Sequence, residues 1–201
     1  MPLLEADRSL VLVIDMQGDL VHQVHRSAFM LAATHRLLEI ADLFEVPVLL
    51  TEQYPRGLGA TTPELLGVFE NLATAHQKVK KTSFSCCGAP SFELALEKLM
   101  GGVDVAHQQL VIAGIEAHVC VVQTVLGLVK RGCDVHLCWE CVSSRGAEYR
   151  NWAIDRMRQA GAAITNHESV GFEWARDKDH PSFRGLNRLL RAGQIVDAEG
   201  G

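Results

Sequence analysis

Leu110-Val111-Ile112-Ala113-Gly114-Ile115-Glu116-Ala117-His118-Val119-Cys120 runs from an apolar stretch through a glycine into a helix-patterned one, so a cysteine stands where a strand becomes a helix. A helix start presents unpaired N–H groups and partial positive charge, which lower a thiol's pKa and can hold a developing oxyanion. This one segment is therefore expected to supply both a nucleophile and an oxyanion site. It also sets the pattern for the rest of the chain. Ser9 to Ile14, Val46 to Leu50, Asp134 to Cys138 and Ala162 to Thr165 are apolar runs like Gln109 to Ala113, as expected of strands covered on both faces, and Val79 opens a sixth.

Between these runs, Ala28 to Phe44, Phe92 to Met100, Val119 to Lys130 and Ala147 to Ala160 carry apolar residues at helical spacing, and Gly101, Gly132 and Gly161 follow three of them. Alternation of this kind predicts βαβ units, hence a three-layer α/β/α fold with a central, mostly parallel six-stranded sheet. No repeat, low-complexity tract or linker interrupts the chain. Residues 1–201 are therefore expected to form one domain, with a core over about 8–170 and a C-terminal extension over 171–201.

Composition narrows the function. The 201 residues are 48% hydrophobic, with 19 basic and 24 acidic side chains and a formal net charge of −5. No basic run suggests a nucleic-acid partner, and Met1 to Arg8 resembles neither a signal peptide nor a membrane span, which points to a cytoplasmic protein with no membrane partner. The six cysteines, Cys86, Cys87, Cys120, Cys133, Cys138 and Cys141, are expected to be reduced. Cys138-Trp139-Glu140-Cys141 has the spacing of a metal or redox pair, yet Cys138 looks like the last residue of a buried strand with Cys141 in a loop, which favours packing over chemistry.

In a parallel sheet, ligands bind beyond the carboxyl ends of the strands. Asp15 ends the first run, Lys80-Lys81-Thr82-Ser83-Phe84-Ser85 follows Val79, and Cys120 follows the fourth run. His118 lies two residues from Cys120, on another side of a helix, so the base for the thiol must come from elsewhere. Asp15 can serve, with a nearby lysine as the cation. Gln17, Gln53, Tyr54 and Phe84 follow the same strand ends and are candidate substrate contacts.

Val13-Ile14-Asp15-Met16-Gln17, Lys81-Thr82-Ser83-Phe84-Ser85 and Gly114 to Cys120 together resemble the isochorismatase-like cysteine hydrolase superfamily, which includes nicotinamidases and N-carbamoylsarcosine amidase. Thr51-Glu52-Gln53-Tyr54-Pro55 and Asp177-Lys178-Asp179-His180-Pro181 are similar to its isochorismatase-domain-containing subgroup. The resemblance implies Asp15 as general base and acid, Lys81 as catalytic lysine and Cys120 as nucleophile. It also implies a cis peptide between Ile115 and Glu116, and an oxyanion site at the Glu116 and Cys120 N–H groups. Lys81 rather than Lys80 is taken because the family's lysine precedes its serine, here Ser85, by four positions.

Members that cleave a vinyl ether lack the cysteine, so Cys120 favours acyl chemistry at a C–N bond. Nicotinamidases carry Asp-x-His after the second strand, where Glu52 and Tyr54 stand, so no metal and no cofactor are expected. The expected activity is hydrolysis of a small amide, ureide or carbamoyl compound by a homo-oligomer. A silent scaffold of the same fold and a thiol redox protein are the alternatives. His180-Pro181 is expected to cover a neighbouring subunit, and the chain beyond Arg191 to fray.

Overall fold

A computed structural model describes residues 2–192. The expected fraying lies almost wholly on residues 193–201, outside the described residues. Six strands, β1 (Ser9–Ile14), β2 (Val48–Gln53), β3 (His76–Lys81), β4 (Gln109–Gly114), β5 (Asp134–Val142) and β6 (Ala163–Thr165), form one sheet in the order β3-β2-β1-β4-β5-β6. Every adjacent pair is parallel, so the "mostly parallel" expectation becomes an all-parallel sheet. The weakly marked run at Val79 is a full six-residue strand.

The period-two alternation of strand side chains sorts the interior into two cores. Val11, Val13, Val48, Leu50 and Val111 face one side, where they pack with α1 (Ser27–Leu43), α3 (Pro63–Glu70), α7 (His167–Ala175) and α8 (Phe183–Arg191). Leu10, Leu12, Leu49, Leu110 and Ile112 face the other, against α4 (Pro90–Met100), α5 (Val122–Lys130) and α6 (Ala147–Gln159). Burial on both faces is why these strands read as continuous apolar runs.

Within the stretch read as an extension, residues 171–192 carry the end of α7 and all of α8. Trp174 of α7 and Leu186 of α8 are buried in the first core, Trp174 Nε1 donates to Ser9 Oγ at 3.0 Å, and the His180 ring packs on Phe44 with centroids 5.2 Å apart. His180 thus has a partner within its own chain. Among the described residues no helix is long and apolar enough to cross a membrane.

Two features position the site. The chain runs outward from β1 through β2 to β3, then returns to place β4 on the other flank of β1, which makes the β1/β4 boundary the topological switch point. At that boundary Ile14 pairs with Gly114, whose φ is 143°, and a Cβ there would lie 2.5 Å from the Ile14 carbonyl oxygen. Only glycine lets β4 close on β1 at this point. Strand β5 does not end at Cys138 as expected. Its pairing with β4 jumps from Leu137 opposite Ile112 to Val142 opposite Gly114, so Cys138 to Cys141 form a bulge within a strand that runs unbroken to Val142.

Candidate active site

Asp15, Lys81 and Cys120 lie at the carboxyl ends of β1 and β3 and just beyond β4, and the sheet order brings all three to one edge. Asp15 is 3% exposed and takes the left-handed φ of 54°, a conformation aspartate tolerates better than most residues. Its Oδ2 accepts from Lys81 Nζ at 2.6 Å and its Oδ1 from Thr51 Oγ1 at 2.6 Å. Lys81 Nζ, wholly buried, also donates to the Ser83 and Phe84 carbonyl oxygens, each at 3.1 Å. The ammonium thus has three acceptors, as its burial requires. Lys80, the neighbouring lysine, is exposed.

Cys120 sits in a π-helical turn, Ala117–Val121, that leads directly into α5. It is buried, and near enough to Asp15 and Lys81 for both charges to act on its thiol. The expectation of an easily ionised thiol does not hold. Burial, then the negative charge of Asp15, push the Cys120 pKa far above the ordinary thiol range, outweighing Lys81. At neutral pH the proton stays on sulfur, beside a carboxylate placed to receive it.

The turn itself is held from β5. The Ile115–Glu116 peptide is cis. The Ala117 N–H donates to the Ser143 carbonyl at 2.8 Å, while the Val119 and Val121 N–H groups converge on the Glu116 carbonyl at 3.0 and 3.2 Å. Glu116 Oε1 accepts from the Arg145 backbone N–H at 3.1 Å and from its Nε at 2.9 Å. His118 turns aside, with Nδ1 3.0 Å from Ser144 Oγ and its ring stacked on Tyr149 at 5.0 Å.

The four suggested substrate contacts divide. Gln17 is fully buried and its amide is committed, donating to the Gln53 and Gly59 carbonyls at 3.2 and 2.7 Å and accepting from the Gln53 N–H at 2.6 Å. Gln53 Nε2 donates to the Thr82 carbonyl at 3.0 Å. These two amides lace the loops after β1, β2 and β3 together. Tyr54 and Phe84 are 52% and 53% exposed, and Phe84 meets the cluster through its carbonyl.

Three residues absent from the expected set complete the cluster. Thr51 holds Asp15. Thr124 Oγ1 donates to the Cys120 carbonyl at 2.8 Å and accepts from the Cys86 N–H at 3.0 Å. Cys86 is buried, with Sγ 3.9 Å from Thr51 Oγ1, and desolvation pushes its pKa up to about 12. Thr124 carries a usable signal, because a threonine four residues after another on a helix can bond back to that residue's carbonyl. Thr51 stands at the end of an apolar run, but nothing local pairs it with Asp15.

All six cysteines are free thiols. The bulge in β5 brings Cys138 Sγ and Cys141 Sγ to 3.2 Å inside the first core. Among the described residues, no three His, Cys, Asp or Glu side chains gather closely enough to hold a metal ion.

The model of the Isochorismatase domain matches residues 9–169. Isochorismatase domain-containing protein 2 of Macaca fascicularis is 36% identical over 183 residues, 91% of this chain and 83% of that protein. The structure of MAR1 ribonuclease from Caenorhabditis elegans superposes with a TM-score of 0.86 at 32% identity, covering 100% of this chain and 97% of that one. YcaC from Escherichia coli, described as an octameric hydrolase of unknown specificity, superposes with a TM-score of 0.79 at 26% identity over 94% of this chain and 89% of that one. By its match along most of its length, the chain belongs to the isochorismatase-like hydrolase family.

Proposed function

We propose that this protein is a cysteine-dependent hydrolase that cleaves a C–N bond of a small amide, ureide or carbamoyl compound through a thioester. The observation that carries the reading is the buried Asp15 carboxylate, held at 2.6 Å by both Thr51 and Lys81 and near enough for its charge to act on the protonated Cys120 thiol. A buried, high-pKa thiol becomes nucleophilic only if its proton leaves as the sulfur attacks, and Asp15 is the group positioned to take it.

In the proposed cycle the Cys120 sulfur bonds to the carbonyl carbon while its proton passes to Asp15. The Glu116 and Cys120 N–H groups receive the oxyanion, and the Lys81 ammonium offsets charge building up around the carboxylate. Collapse expels the amine, which takes the proton from Asp15 and leaves the acyl group on sulfur. Water then gives its proton to Asp15 as it attacks the thioester, and the sulfur departs with that proton. Atoms balance at one water consumed for each acid and amine released.

The test is a screen of amides, ureides and carbamoyl compounds against wild type and Cys120→Ala, with acid quench and intact-mass detection of an acyl adduct. Turnover confined to wild type supports the reading, and turnover retained by Cys120→Ala refutes it. The ribonuclease description of the Caenorhabditis elegans neighbour supports a second reading, RNA cleavage. A fluorogenic RNA assayed with both proteins separates the two. The octameric neighbour supports assembly of this chain into a homo-oligomer, which light scattering measures.

A further inference from the structure

A cleft of about 670 Å³ opens beside β3 and the loop after it, lined by Tyr54, Arg56, Lys80, Thr82, Ser83 and Ser91 among others. It lies outside the thiol cluster. Lys81 borders it only through backbone, since the Lys81 side chain is wholly buried against Asp15. No acidic side chain lines the cleft, although the chain as a whole has a net charge of −5.

The polar groups facing this space are unequally committed. Ser83 Oγ donates to the Ser85 carbonyl and Ser91 Oγ to the Lys80 carbonyl, each at 2.7 Å. The Arg56 guanidinium, the Lys80 ammonium and the Thr82 hydroxyl have no partner among the described residues. Lone exposed cations are ordinary solvated side chains. Two cations and a hydroxyl around one acid-free concavity instead match the donor set that a phosphate or carboxylate requires.

Tyr54 adds a planar surface. Its backbone is pinned at φ 40°, with its N–H donated to the Lys81 carbonyl at 2.8 Å. Its ring lies so close over Gly57 that a Cβ there would come within 2.4 Å of it. The ring is therefore backed on one side, while the residue stays 52% exposed. A fixed, exposed ring near free cations suits a flat aromatic group attached to an anion.

We propose that this cleft is a mononucleotide site, separate from the thiol cluster, with the phosphate taken by Arg56, Lys80 and Thr82 and the base stacked on Tyr54. Its volume falls in the range of small-molecule sites, roughly 300–1,000 Å³. The Ser83 carbonyl holds Lys81 Nζ at 3.1 Å, so a bound nucleotide would border the loop that carries the buried ammonium. The assignment does not depend on the hydrolytic reaction proposed above.

Calorimetric titration of the full chain with AMP, adenosine and inorganic phosphate tests it. AMP is expected to bind saturably and about tenfold or more tightly than phosphate, the size of one base-stacking contribution. The double variant Arg56→Gln/Lys80→Gln should weaken AMP and phosphate alike, whereas Tyr54→Leu should weaken AMP and leave phosphate unchanged. Cys120→Ser should bind AMP like wild type, which keeps this outcome independent of catalysis. Absence of saturable binding, indifference to the charge substitutions, or phosphate binding as tightly as AMP would overturn the proposal. Much tighter binding of a short oligoribonucleotide than of AMP would replace it with strand recognition.

Discussion

Two places in this molecule bring buried thiols together, and they differ in what surrounds the sulfur. Cys120 lies with Asp15, Lys81, Thr51 and Cys86 at the switch point of the sheet, and Cys138 lies 3.2 Å from Cys141 in the bulge of β5. In both places desolvation is the largest cause of a raised thiol pKa, for Cys120 and for Cys138. Burial by itself makes a thiol inert. What separates the two sites is an acceptor: Cys120 has a carboxylate held in place by a cation and a hydroxyl, whereas the nearest carboxylate to Cys138 is Glu140, at 3.9 Å, and that one is bonded to His167.

Removing the acceptor should erase the difference between the sites. Asp15→Asn is expected to lower turnover by about 10²–10⁴-fold, the usual worth of a positioned base. It also leaves Lys81 buried without its counter-ion, a change of about 3–5 kcal/mol when a buried pair loses one partner. Steady-state kinetics and urea unfolding read the two effects. Unchanged turnover in Asp15→Asn would remove Asp15 from the chemistry altogether.

A smaller change weakens the acceptor without deleting it. Thr51→Val removes the hydroxyl donated to Asp15 Oδ1 and should cost about 1.5–3 kcal/mol, as for hydrogen bonds to charged groups. With that donor gone Lys81 alone holds the carboxylate, so turnover should fall, by a smaller factor than in Asp15→Asn. Thr51→Ser, which keeps the hydroxyl, should restore it. A loss of stability with turnover unchanged would make Thr51 a packing residue only.

These residues also show what the sequence could and could not reveal. Five of the six strands were legible because burial writes an apolar run, and Ser9 to Ile14 has the bounds of β1, whereas the edge strand β3, His76-Gln77-Lys78-Val79-Lys80-Lys81, shows only Val79. That Asp15, Lys81 and Cys120 share one edge was legible because parallel sheets gather strand ends there, and the choice of Lys81 over Lys80 came from the family motif alone. Thr51 was not legible, because its pairing with Asp15 depends on β2 lying beside β1, a long-range fact absent from local pattern. The ease of ionising Cys120 was misjudged because a helix start is visible in sequence and desolvation is not. The end of β5 was misplaced because a bulge interrupts the pattern while the strand continues. Helix α7 was missed although Asn166 caps it by accepting from the Ser169 N–H, a signal readable in Asn166-His167-Glu168-Ser169.

Alkaline titration probes the thiol site at the switch point through stability. The Cys86 thiol goes from an ordinary value of 9.0 to about 12 in the fold. A group with a raised native pKa holds its proton in the folded state while the unfolded chain has lost it. Its contribution is therefore complete below pH 9.0 and is lost progressively as pH rises toward about 12. Urea midpoints should fall across that window for wild type and fall less for Cys86→Ala. Equal slopes would show that Cys86 does not carry the effect.

The least effect is expected at the other pair, and it is the sharpest check on the comparison. Cys138→Ala/Cys141→Ala removes two sulfurs from the first core without touching Asp15, Lys81 or Thr51. Unfolding should become easier by the small amount that modest core cavities cost, about 1 kcal/mol for each site. The turnover number and the pH profile should stay as in wild type, because neither sulfur has a free base to pass its proton to. The bulge is nonetheless continuous with Ser143, Ser144 and Arg145, which hold Ala117, His118 and Glu116 in the turn before Cys120. A fall in turnover with unchanged stability would therefore mean that the second thiol pair shapes the oxyanion turn through β5, and the two sites would have to be treated as one.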